Sequence, residues 1–317
     1  MNNGKKRTGN SSLKTCARAV FLFKGAHAKQ ITILLSNRDG VLQHDVHAIH
    51  DMRVASRRLR AIIRANRHIL KKQAWREAAQ QLGEVTRALG KARELDVSLG
   101  LLHLYNRGND RNQNRVLKAF QEHLERERVQ SQSITEAAVA RINSETFRVG
   151  VVELFCEIVP NKDCAIKNGR QSVPDAFRKV LKAYKMWQKE NDGEGLHALR
   201  VCVKKFRYTC ELQSSMFSTE FQTFVESLKQ SQEALGDWND RRVLLGYFDV
   251  FAAARTDLDV DACCAIRIRL ERGLDSRLKL FRERCEHLFT KQMKHNLEHM
   301  LVDSAVSCCK RGQREVN

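Results

Sequence analysis

His50, Arg53, Arg57, Arg60 and Arg64 follow one another at spacings of three, four, three and four residues. At roughly 100° per residue, that spacing stacks them along one side of a single helix. Met52, Ala55, Leu59, Ile62 and Ile63 fall on the opposite side, so the same helix has an apolar face to bury. Like charges at i and i+4 repel by about 0.2–0.5 kcal/mol per pair, and the row therefore requires either carboxylates from a neighbouring helix or an anion from outside. A guanidinium donates through a planar fork to two phosphate oxygens and stays charged at every physiological pH. Phosphate is the anion this row fits best. His50 adds a ring N–H donor, and its pKa should rise when the anion is bound.

The row occurs twice. His197, Arg200, Lys204 and Arg207 reproduce it, with Leu199, Val203, Phe206 and Cys210 behind them. HDMRVASRRLR at 50–60 aligns with HALRVCVKKFR at 197–207 without a gap, placing the pair Arg57-Arg58 on Lys204-Lys205. Further along, LGKARELDV at 89–97 aligns with LGDWNDRRV at 235–243 at an offset shorter by one residue. Two matches in the same order imply an internal duplication. A merely solvated face has no need to keep the histidine, the arginines and the basic pair in register twice. Weaker basic faces join the candidate set: Arg178, Lys182, Lys185 and Lys189 share one side of a later helix, and Lys14 with Arg18 repeats the i, i+4 spacing near the first helix start.

Other constellations point away from bond-breaking chemistry. Glu94, Asp96 and Asp240 follow what read as glycine turns at Gly90 and Gly236, and beside so many cations they are expected to orient arginines. There is no GxxxxGK[ST], GxSxG or GxGxxG motif at a strand-to-helix junction. The expectation is a non-catalytic protein without a cofactor. His44, His47 and His50, and separately His295 and His299, have spacings that can share a metal, but no nearby acid completes either set and arginines surround His50, so no metal is expected. Trp75, Trp187 and Trp238 are too dispersed for base stacking and are assigned to the core. The ten cysteines include no CxxC and no signal-peptide h-region precedes them, so they read as reduced, small buried hydrophobes of a cytoplasmic protein.

The elements that must position these residues are helical. The 317-residue chain is 42% apolar and 29% charged, a globular balance. Its 56 Lys and Arg against 37 Asp and Glu leave +19, a surplus that calls for a polyanionic partner; nucleic acid, an anionic membrane surface and polyphosphate all satisfy it. No apolar run approaches the roughly 20 residues that span a bilayer. Pro160 and Pro174, the only prolines, bracket the polar stretch NKDCAIKNGRQSV, read as a linker over 159–173. Helical periodicity on both sides predicts an all-α fold with helices near 12–36, 44–70, 74–106, 112–145, 172–190, 193–216, 218–250 and 256–300, the last with a break. Ser172 with Asp175 reads as a helix start, Pro174 falling in the first turn. The halves are 12–158 and 174–303, between basic tails at 1–11 and 304–317.

On HDMRVASRRLRA at 50–61, HALRVCVKKFRY at 197–208 and the two LG segments, the chain resembles the CHAD family, the conserved histidine α-helical domain, over nearly its whole length. The resemblance implies two similar four-helix bundles around a basic central channel, and binding of inorganic polyphosphate. Carried over position by position, it implies phosphate contact by His50, Arg53, Arg57, Arg58, Arg60, His197, Arg200, Lys204, Lys205 and Arg207. Arg64 rests on periodicity, and Arg18, Arg178 and Lys182 on the weaker faces. Glu94 stands where the family more often has Asp, and the ExExK signature of the tripolyphosphate-tunnel enzymes often fused to this domain is absent. The expectation is a stand-alone polyphosphate-binding protein of the cytoplasm, including polyphosphate granules. Its expected partners are polyphosphate, an enzyme of polyphosphate metabolism and, weakly, nucleic acid, without a membrane. The alternative is a nucleic-acid-binding or scaffold protein that uses its basic surface.

Overall fold

Two aspartates set the helices that carry the duplicated rows. Asp45 accepts from the Ala48 N–H at 2.7 Å and starts helix α3, Val46–Ala65; Asp192 accepts from the Gly195 N–H at 2.8 Å and starts helix α9, Gly193–Glu211. The residue before each cap, His44 at φ 58° and Asn191 at φ 50°, is left-handed, a region His and Asn enter more readily than most residues. An arginine from a later helix reaches each of these joints: Arg128 Nη2 donates to the His44 carbonyl at 2.8 Å and Arg282 Nη2 to the Asn191 side-chain oxygen at 2.6 Å. The duplication thus extends beyond the rows to the way their helices begin.

The computed structural model describes residues 23–67, 69–155, 166–212, 214, 217–285 and 287–311, and among these the only regular elements are helices. Besides α3 and α9 they are α1 (23–36), α2 (Arg38–Leu42), α4 (Lys72–Leu102), α5 (Arg111–Gln130), α6 (Gln132–Ile142), the short α7 (Glu145–Phe147), α8 (Ile166–Glu190), α10 (Thr219–Ala253), α11 (Val260–Cys285) and α12 (Lys291–Arg311). The chain is all-α. Gly90 and Gly236 are not turns. Each lies inside a long helix, α4 of 31 residues and α10 of 35, and a helix of that length absorbs the roughly 1 kcal/mol an interior glycine costs.

Three other boundaries differ from the sequence expectation. The helix expected over 112–145 divides at Ser131, whose hydroxyl donates to the Arg128 carbonyl at 2.7 Å and competes with the backbone for its acceptor. Helix α8 begins at Ile166, not after a cap at Ser172, and Pro174 sits within it; Asp175 pairs with Arg178. Val173, Phe177, Val180, Tyr184 and Trp187 form its buried stripe, and that burial outweighs the roughly 3 kcal/mol a proline costs inside a helix. Of the expected linker, 166–173 is therefore helical, while 159–165 lies outside the described residues, as do 12–22, the tail at 1–11 and residues 312–317. Residues 304–311, expected as tail, continue α12.

The buried side chains gather in three cores. One belongs to the first half, with Leu34, Ile49, Met52, Leu59, Leu82, Leu89 and Phe147 among its members; another to the second, with Phe177, Leu199, Phe206, Phe221, Leu235 and Phe281. The third is shared. Leu95 and Leu102 of α4 and Phe120 and Leu124 of α5 pack with Leu244, Phe248 and Phe251 of α10 and with Ile266 and Leu270 of α11. Helices α4 and α10 thus pass from their own half's core into the common one. On α4 the passage lies between Ala92 and Leu95, on α10 between Trp238 and Leu244, which is where the duplicated LG segments fall.

Candidate anion-binding site

Helices α3 and α9 touch, as do α4 and α10, and the cationic rows of α3 and α9 meet at their contact. Tyr208 marks the meeting point: its ring centre lies 5.8 Å from the Arg57 guanidinium carbon of α3 and 4.8 Å from that of Arg207 on its own helix. Arg53 is acted on by Arg57, by Arg200 across the gap and by Arg93 of α4; Lys204 is acted on by Arg57, Arg200 and Arg53. Residues widely separated in sequence therefore share one electrostatic environment.

That environment is short of negative charge. Among the described residues no carboxylate comes within 4.0 Å of Arg53, Arg57, Arg58, Arg60, Arg200 or Lys204. Glu94 attracts Arg53, and Asp240 attracts Arg200 and Lys204, from further away. The Nε atoms of Arg53, Arg60 and Arg200 are buried and make no hydrogen bond. Burial, and then mutual repulsion, lowers the pKa of Arg53, Arg57, Arg60 and Arg200; the same causes push Lys204 down to about 6. His50 is lowered by burial and by Arg93, with Asp51 opposing. His197 Nδ1 lies 3.0 Å from the Asn239 side-chain oxygen, so a proton on Nδ1 is held by Asn239. Arg60 lies flat along α4 because Gly83 leaves room: a Cβ there would stand 3.3 Å from the Arg60 guanidinium carbon.

The expected site residues fall into three groups. Arg53, Arg57, Arg60, Arg200 and Lys204 converge, with Arg58 beside Arg57 and with His50 and His197 at the leading ends of the rows. Arg207 is close but engaged: its Nε donates to Gln232 at 2.7 Å and its Nη1 pairs with Glu211, so it braces Tyr208. Arg64 and Lys205 are exposed at the edge; Arg178 and Lys182 are exposed on α8 and are absent from the charges that press on the convergent cluster. Arg18 lies outside the described residues.

Asp96 does not orient a row arginine. Its carboxylate is buried and pairs with Arg128 of α5 at 2.5 Å, which joins α4 and α5 to the start of α3. Arg87 and Arg93 of α4, Arg242 of α10, Tyr208 and Asn239 belong to the site and were not singled out by periodicity, because they come from the crossing helices or, for Tyr208, from the turn after the row. The alignment of LGKARELDV with LGDWNDRRV was the available signal, since it sets Arg93 opposite Asn239 and Glu94 opposite Asp240. His295 and His299 face each other at 3.0 Å on α12, and among the described residues no three His, Cys, Asp or Glu side chains form a group able to hold a metal. No helix among the described residues is long and apolar enough to cross a membrane.

Residues 25–248 match the CHAD domain. Two solved structures share the fold. A CHAD domain from the plant Ricinus communis superposes with a TM-score of 0.63 at 20% identity, covering 84% of this chain and 90% of that one. PptA from Streptomyces chartreusis superposes with a TM-score of 0.63 at 16% identity, covering 84% of this chain and 98% of that one. No curated protein sequence matches the chain.

Proposed function

The chain belongs to the CHAD domain family, and from that premise and the unneutralised cations between α3 and α9 we propose that it binds inorganic polyphosphate and does so without turning it over. The observation that carries the reading is the set of buried guanidinium Nε–H donors of Arg53, Arg60 and Arg200, none with an acceptor, two of which, Arg53 and Arg200, also press on Lys204 and help to hold it down to about 6. An unpaired buried charge costs several kcal/mol, and a fold that gathers this many is stabilised by whatever anion enters. A linear chain of phosphates supplies oxygens along its whole length and no bases or bulky sugars, so it can thread between half-buried arginines. Duplex DNA is confined to exposed cations such as Arg64, Lys205 and Lys182.

The same surroundings support a reading without turnover. Glu94 and Asp240 attract the arginines as counter-charges, and among the described residues no serine, cysteine or histidine there is paired with a base in a nucleophilic arrangement. On this reading the protein is a binder, and an enzyme of polyphosphate metabolism is the partner such a binder would serve. Competition between long-chain polyphosphate and duplex DNA at matched charge and about 0.15 M salt tests the ligand, because contacts on an exposed surface are screened within a Debye length of about 8 Å. Polyphosphate should displace DNA, and Arg53→Gln with Arg200→Gln should remove that advantage. If DNA wins, the basic exterior is the functional surface and the alternative of a nucleic-acid-binding protein holds.

A further inference from the structure

Helix α12 turns an apolar side to the core of the second half and leaves two imidazoles facing each other on its outer side. Leu297 and Leu301 are buried, with Met293 and Met300 packed beside them, while His295 and His299, one turn apart, are exposed. Their rings lie 4.4 Å apart and nearly perpendicular, at 80°, with the Nε2 of one 3.0 Å from the Nε2 of the other. The polar side chains around them pair among themselves: Gln292 donates to Asn296 at 3.0 Å, and Lys294 meets Glu298 at 3.5 Å. Two neutral imidazoles whose ring nitrogens face each other share one proton, because a lone pair does not approach a lone pair. A metal ion can take that proton's place, as the donor imidazole shifts its own proton to Nδ1. Spacing alone gives no metal site here, since no acid completes the pair; the distance between the two nitrogens changes that. Metal–imidazole bonds of about 2.0–2.1 Å that reach nitrogens 3.0 Å apart enclose an angle of about 91–97°, whereas a tetrahedral ion would hold the nitrogens about 3.3–3.4 Å apart. A right angle is that of adjacent ligands around tetragonal copper or nickel.

We propose that His295 and His299 chelate a divalent transition-metal ion of the copper and nickel class through their Nε2 atoms, with water completing its coordination. Imidazole is a neutral donor of borderline softness, so the site requires no carboxylate and does not select Mg²⁺ or Ca²⁺, which take oxygen ligands. The chain's positive surplus opposes any cation, but on an exposed helix face salt screens that repulsion within about 8 Å. Chelation is local to one turn: only a helix brings positions four apart onto one ion, so a bound metal stabilises α12 in its helical form. The pair lies on α12, which packs against α8 and α10, away from the contact of α3 with α9. The inference is therefore independent of the polyphosphate reading.

The test titrates the full chain, free of polyphosphate, with Ni²⁺ in a calorimeter and follows hydrogen exchange at the α12 amides. His295→Ala and His299→Ala replace exposed side chains with the best helix former, so the fold is kept. Each should weaken Ni²⁺ binding by about tenfold or more, because either change leaves a single imidazole, and the double variant should bind no better than either. Cu²⁺ should bind more tightly than Ni²⁺ or Zn²⁺, and Mg²⁺ should not compete. Saturation with Ni²⁺ should slow exchange in the turn between the two histidines. A single replacement that leaves the affinity unchanged would overturn the proposal. Unchanged exchange across α12 at saturation would do the same, because the metal would then sit elsewhere, the exposed Cys264 thiol being a rival donor.

Discussion

Lys204 is penalised twice when it carries a proton, by burial and by Arg53, Arg57 and Arg200 around it. Its folded value, about 6, lies below the 10.5 of an ordinary lysine, so between those pH values the unfolded chain binds the extra proton and folding stability rises with pH. Replacement by a neutral residue of similar length removes the penalty: Lys204→Met should raise stability by about 1 kcal/mol or more in urea titration near neutral pH, flatten that pH slope and weaken polyanion binding. An entering anion has the opposite effect on the lysine, restoring its proton. Binding above about pH 6 is then coupled to uptake of one proton, and polyphosphate affinity should fall by up to about tenfold per pH unit until the bound form's own pKa is reached. Calorimetry in two buffers of different ionisation enthalpy measures that proton directly; no uptake at about pH 8 would mean that Lys204 stays outside the bound anion's field. At this scale the row was legible in the sequence because its spacing is helical and its members are charged. The separation of Arg207 from the rest was not, because Gln232 and Glu211 reach it only through packing.

Among elements, the rows depend on the helices that cross behind them. Gly90 and Gly236 stand in α4 and α10 with nothing within 4 Å of where a Cβ would be, whereas a Cβ at Gly83 would press on Arg60. Gly90→Ala should therefore raise stability by about 0.5–1 kcal/mol through lower backbone entropy in the unfolded chain, as measured by chemical denaturation. Gly83→Ala should give less of that gain and reduce polyanion binding, because the new methyl displaces the guanidinium. Equal behaviour of the two variants would contradict the placement of Arg60 against α4. Periodicity identified nearly every long helix, since each buries a clear stripe. It missed the break at Ser131, which is set by one hydroxyl, and misread Pro174 as a beginning, where a run of buried aromatics carries the helix through it. The glycine segments read as turns because glycine breaks short helices; in helices this long they mark the passage between cores.

For the molecule as a whole, the +19 surplus and the third core work together. The sequence already showed the duplication, but two copies can be strung apart or folded on each other, and neither charge nor periodicity chooses. The packing of Phe120 edge-on to Phe248, with ring centres 5.2 Å apart, binds α5 of one half to α10 of the other and brings α3 and α9 together. Confronting two cationic rows in this way raises the free energy of the empty protein, and a polyanion that bridges them lowers it. A crystal structure of the full chain with long-chain polyphosphate bears on that claim most directly: the account predicts phosphate density running between α3 and α9 in contact with both Arg53 and Arg200. Density confined to the exposed face of α8 around Arg178 and Lys182, with Arg53 and Arg200 still unbonded, would contradict it.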